Sequence, residues 1–200
     1  MKRLRLHYAK RGPLCFVPHV ELPPLFCRAA RRAGLLPALT EGMAPHPRVV
    51  LGPPLPMGVV GLDEPADFWF DEADDEALSL WPRFFPRGLD VKGVEEIAEG
   101  PGLSRLCQAA AHRVLLRRFP SEEALEPLLV RHYGEALLAF SRERGGFSAT
   151  LADPNQNGPG SLVKALVEAG LLEGWADLLI VRTAVGTWDG KTLSALRARR

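Results

Sequence analysis

The residues with chemistry in them are concentrated between positions 19 and 48. His19 and Glu21 stand two apart, Arg28, Arg31 and Arg32 follow at helical spacing, and His46 and Arg48 close the stretch. Imidazole titrates near neutral pH and is a common metal ligand, so His19, Glu21 and His46 have the types needed for acid–base work on a ribose 2′-hydroxyl, or for a metal. A structural reading stands beside it: His19 at a strand-to-helix junction caps the helix or bonds a carbonyl, and His46, between Pro45 and Pro47, braces a loop. The guanidiniums of Arg28, Arg31, Arg32 and Arg48, with Lys2, Arg3 and Arg5, suit an anion such as a phosphate backbone. The other reading of them is a solvated helix face, and no exposed aromatics of the base-stacking kind are interleaved.

Such side chains need a stiff support, and the sequence supplies one. Pro45, Pro47, Pro53, Pro54 and Pro56 exclude helix, since each lacks an N–H and has a fixed φ. Gly42, between Thr40 and the Pro-locked run, is expected in a turn with φ above zero, which only glycine adopts without cost. Gly42, Pro45 and Pro47 are therefore assigned to a structural loop.

Alternation of Leu4, Leu6 and Tyr8 with Arg5, His7 and Ala9 predicts a first strand, and Leu14 to Val17 a short extended piece. Apolar residues at three-to-four spacing from Leu25 to Ala33 predict a helix that Gly34 stops. Arg48 to Leu51 and Asp67 to Phe70 read as strands, Asp71 to Phe84 as a helix, and Leu89 to Val94 as a strand. The second half reads in the same order: strand Cys107 to Phe119, a helix opened by Ser121 and ended at Gly134, strands Ala136 to Ser141 and Gly146 to Ala152, a helix capped by Ser161, and strand Leu178 to Val185. The loop Asp153 to Gly160 lacks the Lys and spacing of a P-loop and reads as a turn. The expected fold class is α+β, a tandem duplicated ferredoxin-like arrangement (βαββαβ twice) of antiparallel sheets with helices on one face. Its domains are 1–100, carrying the His/Arg/Pro-rich stretch, and 101–200, divided near Glu99-Gly100-Pro101-Gly102.

The 200 residues, 46% hydrophobic and 24% charged, fold rather than stay disordered. No run of apolar residues is long enough to span a membrane, and no apolar leader follows Met1, so the cytoplasm is the expected location. Three scattered cysteines, Cys15, Cys27 and Cys107, read as reduced core thiols, and neither a metal site nor a cofactor is expected. Net charge is +1, yet residues 1–60 carry nine Lys/Arg against two Asp/Glu, while 61–100 carry three against twelve. That dipole fits either a polyanion-facing patch or a basic helix beside an acidic loop.

Lys10-Arg11-Gly12-Pro13, Phe16, His19, Arg31-Arg32-Ala33-Gly34, Gly42, Pro45-His46-Pro47-Arg48, Pro54-Leu55-Pro56 and Gly58 fall in order and spacing as in the bacterial radical-SAM-linked protein family, a domain of unknown function. The chain resembles that family over nearly its whole length, most specifically from Lys10 to Gly58. The resemblance implies a domain fused to or encoded beside radical SAM proteins, often near ribonuclease E/G genes, hence an RNA-related role with a radical SAM protein as partner. Where the family reads Ser-His-Leu-Asp this chain has Pro18-His19-Val20-Glu21, and where it reads Gly-Phe-Asn-Pro it has Gly42-Met43-Ala44-Pro45. A hydroxyl and an amide are lost, which a strict catalytic constellation would tolerate poorly. The expectation is an RNA-associated accessory or adaptor rather than an enzyme. Two rivals stand beside it: an RNA-processing, RAMP-like endonuclease using His19 and His46, and a protein-only interaction module.

Overall fold

The computed structural model describes residues 1–97, 100–117 and 122–197, with backbone alone for 122–124. Its elements are β1 (Lys2–Lys10), α1 (Leu22–Arg32), β2 (Val49–Leu51), β3 (Val60–Phe70), α2 (Asp75–Leu80), β4 (Leu89–Glu96), α3 (Leu103–Leu106), β5 (Ala109–Leu116), α4 (Glu122–Tyr133), β6 (Leu137–Glu143), β7 (Gly146–Ala152), α5 (Pro159–Glu168), β8 (Leu178–Trp188) and β9 (Leu193–Ala195). The fold class is mixed α and β. Nine strands form one open, mostly antiparallel sheet in the order β4-β1-β3-β8-β5-β7-β6, with β2 on β3 and β9 on β8.

Each half follows the expected element order, and the pairings match as well: β4-β1-β3-β2 in the first and β8-β5-β7-β6 in the second. The halves do not, however, carry separate sheets. β3 pairs β8 in parallel through Val60 opposite Val181 and Gly61 opposite Arg182, so the sheet is continuous. The cause is the length of β3, eleven residues where the sequence predicted four. β2 covers only Ala66 to Phe68 of its edge, and an exposed remainder of unpaired N–H and C=O groups is a template for another strand. β8 supplies that strand.

Each half keeps its own apolar core on the helix side. In the first, Leu4, Leu6, Tyr8, Phe68 and Phe70 meet Leu22, Phe26, Ala29 and Ala30 of α1, with Phe68 and Trp81 edge to face at 5.0 Å. In the second, Val114, Phe147, Leu151 and Ile180 meet Leu125 and Leu129 of α4 and Leu162, Val163 and Leu166 of α5.

Several boundaries differ from expectation. Leu14 to Val17 is not extended, because Gly12–Phe16 forms a 3-10 turn with Pro13 in its first residues. β5 starts at Ala109, since Gly102 opens the short helix α3 and carries the chain through Cys107. α5 starts at Pro159 behind Gly158, so Ser161 is not its cap but lies in its first turn, donating to the Gly158 carbonyl. Phe119, Ser121 and Glu99, to which a strand end, a helix start and the domain boundary were assigned, lie outside the described residues.

The seam is held by one buried ion pair. Arg182 of β8 donates to both carboxylate oxygens of Glu64 on β3, Nε to Oε1 at 2.9 Å and Nη2 to Oε2 at 2.6 Å, and also to the carbonyls of Pro53 and Pro54. Arg182 is 1% exposed and Glu64 3%. Removing one partner of such a pair strands a buried charge at a cost of about 3–5 kcal/mol, whereas replacing both by apolar residues of similar size is often neutral. Glu64→Ala or Arg182→Ala should therefore lower Tm by roughly 10 °C, and Glu64→Leu with Arg182→Met should restore most of it. Calorimetry checks this, and single variants that melt like the wild type would show the pair to be dispensable.

Candidate functional site

The stretch from residue 19 to 48 divides into a half-buried part and an exposed part. A 3-10 turn, His19–Glu21, feeds α1, whose first turn accepts Pro23 and Pro24 because the N–H groups there have no intrahelical partner anyway. α1 buries Leu22, Phe26, Cys27, Ala29 and Ala30 and leaves Arg28, Arg31 and Arg32 exposed, as the 3.6-residue period demands. Gly34, at φ 87°, ends it.

The chain then runs out and back as a short ribbon. Arg48 N–H donates to the Ala38 carbonyl at 2.7 Å and Thr40 N–H to the His46 carbonyl at 2.8 Å, while Thr40 Oγ1 accepts from His46 N–H. Gly42 sits in the bend between them at φ 122°, the conformation expected of it. Pro45 and Pro47 flank an exposed His46, whose Nδ1 lies 3.2 Å from the Pro47 carbonyl oxygen. Folding the ribbon back against α1 places His46 and Pro47 beside Pro23, Pro24, Cys27, Arg28 and Arg31 in a groove of about 430 Å³. Sequence spacing alone gave no reason to join His46 to α1.

His19 and Glu21 do not line that groove. Glu21 is exposed at the start of α1 and its side chain caps no N–H. His19 is half-buried on the inner side, where burial, together with the positive charges of Arg182 and Lys10, pushes its pKa down to about 4, a backbone hydrogen bond at Gly52 offsetting part of this. It is uncharged at neutral pH. Arg48 and Arg32 also lie outside the groove. Arg48 crosses to the Trp69 ring, 4.5 Å from its centroid.

Behind His19 lies a polar interior that the sequence did not signal. Lys10, fully buried, donates from Nζ to the Val17 carbonyl at 2.6 Å, and burial lowers its pKa. Tyr8 beside it is raised well above the usual tyrosine range, by burial first and then by the Glu64 charge. His112, at 2% exposure, has neither ring nitrogen in hydrogen-bonding geometry, and burial with the nearby Arg182 pushes it down to about 3 despite the Ala110 backbone. On the first-half strands Asp67 accepts from Arg5 at 2.7 Å and from Arg3 at 2.6 Å, and His7 meets Asp63 at 3.1 Å. Alternation pointed elsewhere: Arg5 and His7 stand opposite the core residues Leu4, Leu6 and Tyr8, on the side of a strand that ordinarily meets water, and Lys10 falls in step with the core residues themselves. The three cysteines are buried free thiols, Cys107 being raised to about 12 chiefly by burial. Among the described residues no group of His, Cys, Asp and Glu is arranged to hold a metal ion, and no helix is long and apolar enough to cross a membrane.

Of the stretch Asp153 to Gly160, residues 153–158 form a turn, and Pro159 and Gly160 open α5. Asp153 takes φ 44°, its carbonyl accepts from Gln156 and Asn157 N–H groups, and Asn157 Nδ2 donates to the Ala152 carbonyl at 2.9 Å.

Comparison with known proteins gives one family. The model of a family described as "Uncharacterized protein conserved in bacteria (DUF2344)" matches residues 3–142. No curated protein matches the chain. Among solved structures, one titled "Crystal Structure of an Unknown Protein from Galdieria sulphuraria" aligns over 91% of this chain and 97% of its own, at 11% identity and a TM-score of 0.28.

The buried neutral imidazoles set an acid limit on the fold. A histidine whose folded pKa lies below its unfolded value of about 6.5 takes up its proton only on unfolding, so stability is full above pH 6.5 and falls as pH drops toward the folded pKa. For His112 the window runs from about 6.5 to about 3. By pH 4.5 it should account for about 2–3 kcal/mol of lost stability. His112→Met should flatten the fall of Tm between pH 6.5 and 4.5, and parallel curves for variant and wild type would show that His112 protonates without unfolding.

Proposed function

This chain belongs to the DUF2344 family of proteins conserved in bacteria, and we propose that it works as a non-enzymatic, RNA-associated accessory protein. The observation that supports this is the groove in which two α1 guanidiniums, Arg28 and Arg31, face His46 across a proline-stiffened ribbon. Guanidiniums offer forked donors matched to phosphate, a preformed groove needs little reordering to bind, and Arg32 extends the cationic face beyond it. A chain of single-stranded phosphates suits such a surface better than a reaction does. The residue nearest to a general acid in the stretch, His19, is neutral and turned toward Lys10 and Arg182.

Partnership with a radical SAM enzyme in the cytoplasm follows from the resemblance of Lys10 to Gly58 to the radical-SAM-linked proteins. The matching strand order of the two halves supports an origin by duplication of a ferredoxin-like unit, later fused through β3 and β8.

Replacing Arg28, Arg31 and Arg32 together by Glu should weaken binding of a single-stranded RNA and reduce the slope of log K against log salt by about 0.7 for each phosphate no longer neutralised. Unchanged affinity and slope would leave these arginines as a solvated face, and no binding by the wild type at low salt would remove RNA altogether. His46→Ala should impair the same binding while Tm stays within about 2 °C, because the ring is exposed. A drop of several degrees with binding intact would instead make His46 a brace. Affinity capture from a bacterial cell carrying the native gene should recover RNA and a radical SAM protein together; recovery of neither would count against the adaptor role.

A further inference from the structure

On the sheet face away from α1, three residues stand in one row. Arg3 on β1 is the register partner of Trp69 on β3, and Trp69 N–H donates to the Arg48 carbonyl on the far side. Phe68 and Phe70 point into the core, so Trp69 points the other way. Arg48 lies over its ring at 4.5 Å and Arg3 at 5.5 Å.

The two arginines are not equivalent. Arg3 is committed, donating to Asp67 at 2.6 Å and to the Gly100 and Pro101 carbonyls, so it holds the tryptophan rather than waiting for a ligand. Arg48 is exposed, and among the described residues its side-chain contacts are the Trp69 ring and the sulfur of Met1 at 3.8 Å. An open pocket of about 510 Å³ is lined by both, with Lys2 and Glu96 on its rim. That size lies within the range of small-ligand sites, roughly 300–1,000 Å³. Lys2 and Glu96 are 3.9 Å apart and both largely solvated, a pair that holds neither side chain firmly.

We propose that this pocket takes one nucleotide of a single-stranded RNA, the base stacking on the planar guanidinium that Arg48 presents from Trp69 and the phosphate meeting Lys2. Bases stack on arginine planes as well as on aromatic rings, and the plane here is already oriented by the indole beneath it. Any base has a π-face, so the pocket accepts nucleotides with little regard to sequence. The site rests on the RNA reading and extends it. Residues 46 to 48 join the two places, since His46 and Pro47 line the α1 groove while Arg48 lines this pocket. An RNA strand passing around the ribbon would touch both. Glu96 is the opposing charge, and its carboxylate repels the phosphate.

The test uses the full chain, a twelve-nucleotide oligoadenylate, an abasic oligomer of equal length, and adenosine monophosphate. Trp69→Leu should weaken the oligoadenylate about five- to hundredfold while changing the abasic oligomer less than twofold. Trp69→Phe should recover most of the loss, and Glu96→Gln should tighten both oligomers. Equal loss on both oligomers, or no loss on either, would overturn the stacking role while leaving phosphate binding by α1 intact. Should Trp69→Leu unfold the chain, adenosine monophosphate decides: it should shift the indole N–H resonance that Trp69→Phe removes. No shift at millimolar nucleotide overturns the pocket. A shift without any oligomer binding keeps the pocket and overturns the RNA reading.

Discussion

One carboxylate in the interior, Glu64, ties the molecule together. It receives both forks of Arg182 from β8, and Arg182 spends its remaining donors on the Pro53 and Pro54 carbonyls, so β3, β8 and the proline segment meet at a single guanidinium. The Pro53 carbonyl is met in a buried setting by Arg182 Nη2, where an unpaired backbone oxygen would be costly. Arg182 and Lys10 bring two positive charges to one carboxylate. Burial is the main cause of the lowered His19 and His112; Arg182 adds to it at both rings and Lys10 at His19. Gly61 fits the same scheme: a Cβ there would stand 2.7 Å from the Glu64 side chain, which Arg182 does not let move.

With the polar seam in place, the exposed part of the first half is free to carry a surface. α1 is anchored by Phe26, which meets Tyr8, Phe68 and Phe85 at ring separations of 5.0 to 5.5 Å. Such a packed anchor fixes the rotation of the helix and therefore the direction of Arg28, Arg31 and Arg32. The proline ribbon has lost much of its freedom before folding, so holding His46 and Arg48 in place costs little further entropy. The rigid parts are ones a binding surface needs, and they lie on both sides of the sheet edge at β2.

Legibility in the sequence followed the physics of each signal. Helical periodicity located α1, and glycine at positive φ located the ends and bends at Gly34 and Gly42, because these are local constraints. The full length of β3 escapes such reading because Asp63, Glu64 and Pro65 have the composition of a loop, and only their long-range partners make them strand. Arg182 and Glu64 could not be found, since a pair 118 residues apart leaves no spacing to read. Trp69 escapes for a related reason: within the run Phe68-Trp69-Phe70 it looks like core, and only the alternation of the strand, with β2 laid beside it, turns it outward between two arginines.

These placements support the proposed binding role. Catalysis at neutral pH asks for a group whose pKa is near 7 within reach of a substrate, supported by neighbours that hold it. Here the two imidazoles with strongly lowered pKa values, His19 and His112, are disfavoured as proton carriers first by burial and then by the Arg182 charge. Their perturbation is explained first by burial and then by the Arg182 charge, both structural causes. Of the exposed imidazoles, His46 stands apart from them among arginines and prolines, and His132 on α4 has its Nε2 3.0 Å from Ser161 Oγ. Arg28, Arg31 and Arg32 stand exposed on α1 while His19 and His112 are partly or wholly buried, an arrangement that accords with the proposal of a surface that holds an anion.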